Sequence, residues 1–225
     1  MLYIQKKLTP YNYTKMHGKQ NLYIVIHYVG AVSTAKNNAD YYARQKLSAS
    51  AHYFVDETSM WQCVEDGNRA WHCGGGLQGS GGHSFFGKCT NSNSIGIEMC
   101  CKKDASGKWY FEDATVRNTA ELTKYLMQKY NIPADRVIRH YDVTGKICPE
   151  PYVRNEQMWS AFKDMLKEGK ALGDNKKELT SANDITWELS QMIHIDDIDG
   201  FVRALDAAKS ENSPLYWGIR KIVNR

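Results

Sequence analysis

Five short runs of β-branched and aromatic residues, set between stretches of helical spacing, constrain the fold of this chain more than any other feature. The first, LYIVIHYVG (22–30), ends on a glycine and reads as a strand. AHYFVD (51–56) and MWQCVED (60–66) read as two more, with the turn ETS between them, and SIGIEMC (94–100) and RVIRHY (136–141) complete the set. Between them STAKNNADYYARQ predicts a helix capped by Ser33 or Thr34, with Ala39, Tyr42 and Ala43 on one face. A second helix opens at Asp113, carries Val116, Leu122, Tyr125, Leu126 and Tyr130 at 3–4-residue spacing, and closes before Pro133. NEQMWSAFKDMLKEG (155–169) makes a last amphipathic helix, ended at Gly169. Strands alternating with helices specify an α/β domain, a central mixed β-sheet flanked by helices, expected over residues 1–172.

Two segments break this rhythm. Residues 73–94, CGGGLQGSGGHSFFGKCTNSNS, are rich in glycine and serine and read as a long surface loop of the kind that more often serves function than fills space. Residues 173–179, GDNKKEL, are polar and charged and read as a linker. Beyond them, residues 180–225 read as a small all-helical module of two or three helices, with apolar anchors at Trp187, Leu189, Met192, Phe201, Leu205, Trp217 and Ile222. At that size its own core is marginal, so it is expected to dock on the first domain or on a partner.

The bulk numbers exclude several classes. No stretch approaches the ~20 apolar residues of a membrane span. A net charge of +4 is too mild to indicate nucleic acid, though it suits an anionic polymer. The N-terminal MLYIQKKLTPYNYTKM lacks the apolar core of a secretory signal, which points to synthesis in the cytoplasm. Six cysteines (63, 73, 89, 100, 101 and 148) are sparse for a disulfide scaffold and read as free, mostly buried thiols.

The chemistry concentrates in RHYDVTGKICPEP (139–151). His140 and Cys148 are metal-ligand types, and the loop between them brings them together if it folds back, which Gly145 would assist and Pro149 would stiffen. Zinc suits a His/His/Cys set that leaves a fourth position open. The third ligand must come from elsewhere, and His27, inside a strand whose alternation aims it at one sheet face, is the candidate. A lone strand histidine is more often structural, and the spacing from His140 to Cys148 matches no standard zinc finger. Lys146, alone, reads as a solvated charge. Glu98 sits in an otherwise apolar strand, where it is either an exposed edge residue or a carboxylate with chemistry to do as a general base.

Taken in order, IVIHYVG, SAHYFVD, AWHCG (70–74), NSIGIEM and HYDVTGKICPEP resemble the zinc-dependent N-acetylmuramoyl-L-alanine amidases. This is the family of T7 lysozyme-like enzymes, prophage endolysins and peptidoglycan recognition proteins. The likeness covers residues 20–165. It implies Zn2+ held by His27, His140 and Cys148, Glu98 as general base, and Lys146 stabilising charge on the scissile amide. It also places His72 in the motif lining the substrate groove, although a structural histidine fits there too, and makes the glycine-rich stretch one groove wall.

One residue departs from the pattern. The T7-like branch carries a tyrosine just before the second-strand histidine, where this chain has Ala51. Tyr53 is expected to share that face and to act at best as a supporting substrate-binding residue. The implied function is a peptidoglycan hydrolase, an endolysin cleaving the amide between N-acetylmuramic acid and L-alanine of the stem peptide. Its partner is bacterial peptidoglycan, with no nucleic acid or membrane insertion, and it is expected to act on the wall after release in a phage or prophage context, with a non-phage autolysin exported by another route left open. The C-terminal module would bind wall or self-associate. Two rivals stay open at this point: a non-catalytic peptidoglycan-binding protein of the same fold, and a thiol hydrolase with Cys148 as nucleophile and His140 as base.

Overall fold

A computed structural model describes residues 3–167; the expected linker 173–179 and helical module 180–225 lie outside the described residues. The described strands are β1 (Ile4–Lys6), β2 (Tyr23–Val32), β3 (Tyr53–Val55), β4 (Met60–Gln62), β5 (Ser94–Lys103), β6 (Trp109–Tyr110) and β7 (Val137–Arg139). They are joined by α1 (Ala35–Arg44), α2 (Asp113–Tyr130), α3 (His140–Thr144), α4 (Glu150–Arg154) and α5 (Glu156–Lys167). The sheet runs β1-β4-β3-β5-β2-β7, with β6 paired to β5. Only the β3–β4 hairpin and the β5–β6 pair are antiparallel, so the sheet is mixed, as the alternation of elements required.

Side-chain alternation along β2 and β5 divides the core. Ile24, Ile26, Ile95, Ile97 and Met99 enter a large cluster with Leu122 and Leu126 of α2 and Trp159, Phe162 and Leu166 of α5. Truncating any of the fully buried aliphatic residues to alanine would cost about 2–5 kcal/mol. On the opposite face lie two smaller clusters. Val25 packs with Ile138, Val143, Cys73 and Cys89, while Phe54 and Cys100 pack with Ala35 and Ala39 of α1. His27 and Glu98 fall between these two clusters on that second face.

Local chemistry sets the element ends. Thr34 caps α1, its Oγ1 accepting the Asn37 N–H at 3.1 Å. Asp56 Oδ2 accepts the Ala35 N–H at 2.7 Å, while Oδ1 accepts those of Thr58 (2.8 Å) and Ser59 (2.6 Å). One carboxylate thus closes the β3–β4 turn and tethers the start of α1. The chain bends at His52, whose Nδ1 accepts the Gly96 N–H at 3.0 Å, so β3 begins only at Tyr53. The expected strand 136–141 stops at Arg139, because Asp142 accepts the Arg139 N–H at 2.8 Å and caps α3. His140 therefore heads a helical turn instead of ending a strand.

Candidate metal centre and active site

Three elements deliver three candidate ligands to one point. His27 projects from β2, His140 opens α3 directly after β7, which pairs with β2, and Cys148 lies on the loop after α3. That loop folds back: Gly145 adopts φ 81°, and the Tyr141 N–H donates to the Cys148 carbonyl at 2.8 Å. One ligand atom each from His27, His140 and Cys148 lies within 4.8 Å of the other two, and all three residues are buried.

The arrangement fits a small tetrahedral cation. Cys148 Sγ lies 3.6 Å from His27 Nδ1. Bonds of about 2.05 Å to nitrogen and 2.3 Å to sulfur at a tetrahedral angle put those atoms about 3.6 Å apart. Both ring nitrogens of His140 are buried without a hydrogen-bond partner. Leaving one such group unsatisfied costs about 1–3 kcal/mol, which an ion would recover.

Burial and neighbouring charge prepare the donor set. Burial, then His140 and His72, hold the His27 ring well below the usual histidine range. Burial and Lys146 lower His140 to about 4, so both rings are in the neutral form that a metal requires. Burial, with the Glu98 carboxylate nearby, pushes the Cys148 thiol in the opposite direction.

Glu98 is the register partner of His27 on the adjacent parallel strand and shares its face. Its Oε2 is buried without a partner, and burial raises its pKa to about 8 against the opposing pull of Lys146. A carboxyl poised near neutrality beside a cation site is the arrangement a general base needs. Lys146 itself is exposed on the loop before Cys148, and its charge reaches His27, His140 and Glu98.

His72 stands behind the ligands. Its Nδ1 is 3.0 Å from His27 Nε2 and its Nε2 is 3.2 Å from Ser94 Oγ. The Asn91 side chain fixes its backbone, accepting the N–H groups of His72 (3.0 Å) and Cys73 (2.8 Å). The glycine-rich segment lies against the ligand loop: a Cβ on Gly81 or Gly82 would strike Tyr141, and one on Gly145 would strike the Gln78 carbonyl.

A family model described as N-acetylmuramoyl-L-alanine amidase matches residues 17–151, a span that contains every residue of this cluster. The chain belongs to this amidase family. Its relatives include a probable N-acetylmuramoyl-L-alanine amidase of Bacillus licheniformis, 37% identical over 62% of this chain and 39% of that protein. The amidase BlyA of Bacillus subtilis is 35% identical over 64% of this chain and 40% of its own length. The chain thus matches about two fifths of the length of these curated relatives. Among solved structures, the PlyG catalytic domain aligns at 30% identity with a TM-score of 0.58, covering 75% of this chain and 95% of that one. The XlyA catalytic domain aligns at 26% identity with a TM-score of 0.58 over 73% of this chain and 99% of the other. The amidase fold expected from the motifs, a mixed sheet flanked by helices, is the one observed.

Two of the expected site residues have surroundings other than a substrate groove. Tyr53 is on the wrong face. Its register partner is Ile97, it packs in the large cluster, and its hydroxyl donates to Asp66 at 2.6 Å. Ala51 precedes the bend at His52, so strand alternation does not carry from one residue to the other. His72 is buried with both ring nitrogens engaged by protein, which leaves its ring no donor or acceptor for substrate. His52, Ser94 and Gly96 were not singled out in the sequence, although they support the site from behind. The isolated glycine in SIGIEMC was the available signal, since a strand glycine often marks a close approach.

Proposed function

We propose that this chain is a zinc-dependent peptidoglycan hydrolase that cleaves the amide between N-acetylmuramic acid and the L-alanine of the stem peptide. The reading is carried by one observation: a His27/His140/Cys148 cluster with Glu98, whose Oε2 is buried without a hydrogen-bond partner, one strand away on the same face. A zinc ion held by these three residues supplies a Lewis acid that lowers the pKa of water from 15.7 to about 7. Glu98 takes the proton of the attacking water and returns it to the departing alanine nitrogen. Lys146 faces the negative charge that develops on the carbonyl oxygen; losing such a stabiliser typically costs ~10²–10³ in rate. His27 and His140 enter neutral, as their lowered pKa values favour.

A thiol nucleophile would need its pKa depressed, and that of Cys148 is raised by burial, which argues against a cysteine hydrolase. A receptor without catalysis would have no use for Glu98 and Cys148 in this relation. The substrate is bacterial wall polymer, and the site of action is the wall. Among the described residues no helix is long and apolar enough to cross a membrane.

The test is digestion of purified sacculi followed by mass spectrometry. Stem peptides with a free L-alanine amino group are expected, with loss of lysis in EDTA and recovery with zinc. Cleavage of glycan or of peptide cross-links instead, or lysis indifferent to EDTA, would overturn the proposal.

A further inference from the structure

The hydrogen bonds behind His27 form a chain with a definite direction, and a backbone carbonyl sets it. Ser94 Oγ lies 2.6 Å from the Thr90 carbonyl oxygen. A carbonyl only accepts, so the single hydroxyl proton of Ser94 points at Thr90. Toward its other neighbours Ser94 Oγ must then accept: from His72 Nε2 at 3.2 Å and from the Cys73 thiol at 3.7 Å. His72 therefore carries its proton on Nε2, and in the neutral ring its Nδ1 is an acceptor. That Nδ1 is 3.0 Å from His27 Nε2, so His27 carries its own proton on Nε2. The nitrogen left bare on His27 is Nδ1, the atom that faces Cys148 Sγ.

The structure also shows why His72 can occupy this place. A Cβ on Gly96 would lie 2.5 Å from Cγ and 2.7 Å from Nδ1 of the His72 ring. Only glycine leaves room for the imidazole at that point of β5. The His52 ring stands edge-on to His72 with centroids 5.6 Å apart, and Asn91 holds the His72 backbone. Ring position and proton position are thus both determined by protein contacts.

We propose that Thr90, Ser94 and His72 are a relay that sets the tautomer of His27, presenting its Nδ1 lone pair to the metal before any metal arrives. His72 and Ser94 are positioning residues acting through His27. The inference rests on the zinc reading above. Outer partners of ligand histidines typically carry 10–100-fold in metal affinity.

The test uses the full chain, metal-free and labelled with ¹⁵N-histidine, in a long-range ¹H–¹⁵N correlation experiment. His27 and His72 are both expected as the Nε2–H tautomer. Zinc affinity is then measured by competition with a chromogenic chelator. Ser94→Ala and His72→Leu are expected to weaken it by about 10–100-fold while circular dichroism stays native. His72→Asn, whose side-chain oxygen stands near the place of Nδ1 and still accepts from His27, is expected to recover most of the loss. An Nδ1–H tautomer on His27, a doubly protonated His72, or unchanged zinc affinity in a folded His72→Leu or Ser94→Ala chain would overturn the relay. If His72→Leu does not fold, Ser94→Ala decides. A wild-type chain that takes up no zinc would defeat the metal reading, while the tautomers would still report the direction of the relay.

Discussion

His27 and Glu98 face each other across β2 and β5 as register partners of two parallel strands. Neighbouring strands lie about 4.8 Å apart, so a candidate ligand and a candidate base share one face at a distance that the sheet itself sets. A slip of one residue would turn Glu98 into the large apolar cluster. The pairing makes the roles of the two residues separable by mutation.

Glu98→Gln is expected to keep stoichiometric zinc and lose about 10²–10⁴ in wall-lysis rate, the usual worth of a positioned base. Turbidity assays on purified walls, with metal analysis of the same preparations, check it. Near-native lysis would assign the base elsewhere.

The same substitution has a signature in stability. Burial holds the folded pKa of Glu98 at about 8, above the ordinary carboxyl value of 4.5. Between those values the native metal-free chain binds more protons than the unfolded one, so this group's contribution is complete at low pH and is lost as pH rises through about 8. The stability of wild type relative to Glu98→Gln should therefore decline across that window. Urea unfolding in EDTA at several pH values measures the difference, and a flat difference would contradict it.

Zinc uptake should release protons. In the metal-free chain the Cys148 thiol is held protonated and both histidines are held neutral, so about one proton leaves with ligation. Ionisation of Glu98 beside the cation adds to this below pH 8. Calorimetry in buffers of different ionisation enthalpy counts the protons, and affinity should rise with pH. Cys148→Ser should weaken binding by more than the ~10–100-fold expected for losing an outer partner.

Lys146→Ala should reduce turnover about 10²–10³-fold without loss of zinc. Lys146 also lowers the Glu98 pKa, so its removal should move that pKa upward and shift the acid limb of the activity profile to higher pH. An unshifted limb would mean that the two charges do not communicate.

Tyr53→Phe should leave wall lysis unchanged and cost about 1.5–3 kcal/mol of stability, the range for a hydrogen bond to a charged group. The hydroxyl donates to Asp66, which also accepts from Gln62 at 3.1 Å, Lys129 at 3.0 Å and Tyr130 at 2.7 Å. Denaturant midpoints and lysis assays on the same preparation separate the two effects.

Much of the domain was legible in the chain. The strand LYIVIHYVG, the Thr34 cap and the helix from Asp113 appear where periodicity and capping residues put them. These are local signals, written within one turn or one strand. The short strand β1, the two-residue β6 and the helical turn at His140 were not legible. Each depends on a partner distant in sequence, or on a side chain such as that of Asp142 closing onto the backbone.

The site divides along the same line. The sequence by itself supplied the residue types and their order: a strand histidine, a carboxyl in an apolar strand, and the His, Lys and Cys of one loop. Only the tertiary structure decided which of them share a face. The bend at His52 carries Tyr53 to the far side of the sheet, and the space over Gly96 admits the His72 ring against His27. Alternation holds only within a continuous strand, so residues on either side of a bend are related by packing and hydrogen bonds, not by their spacing.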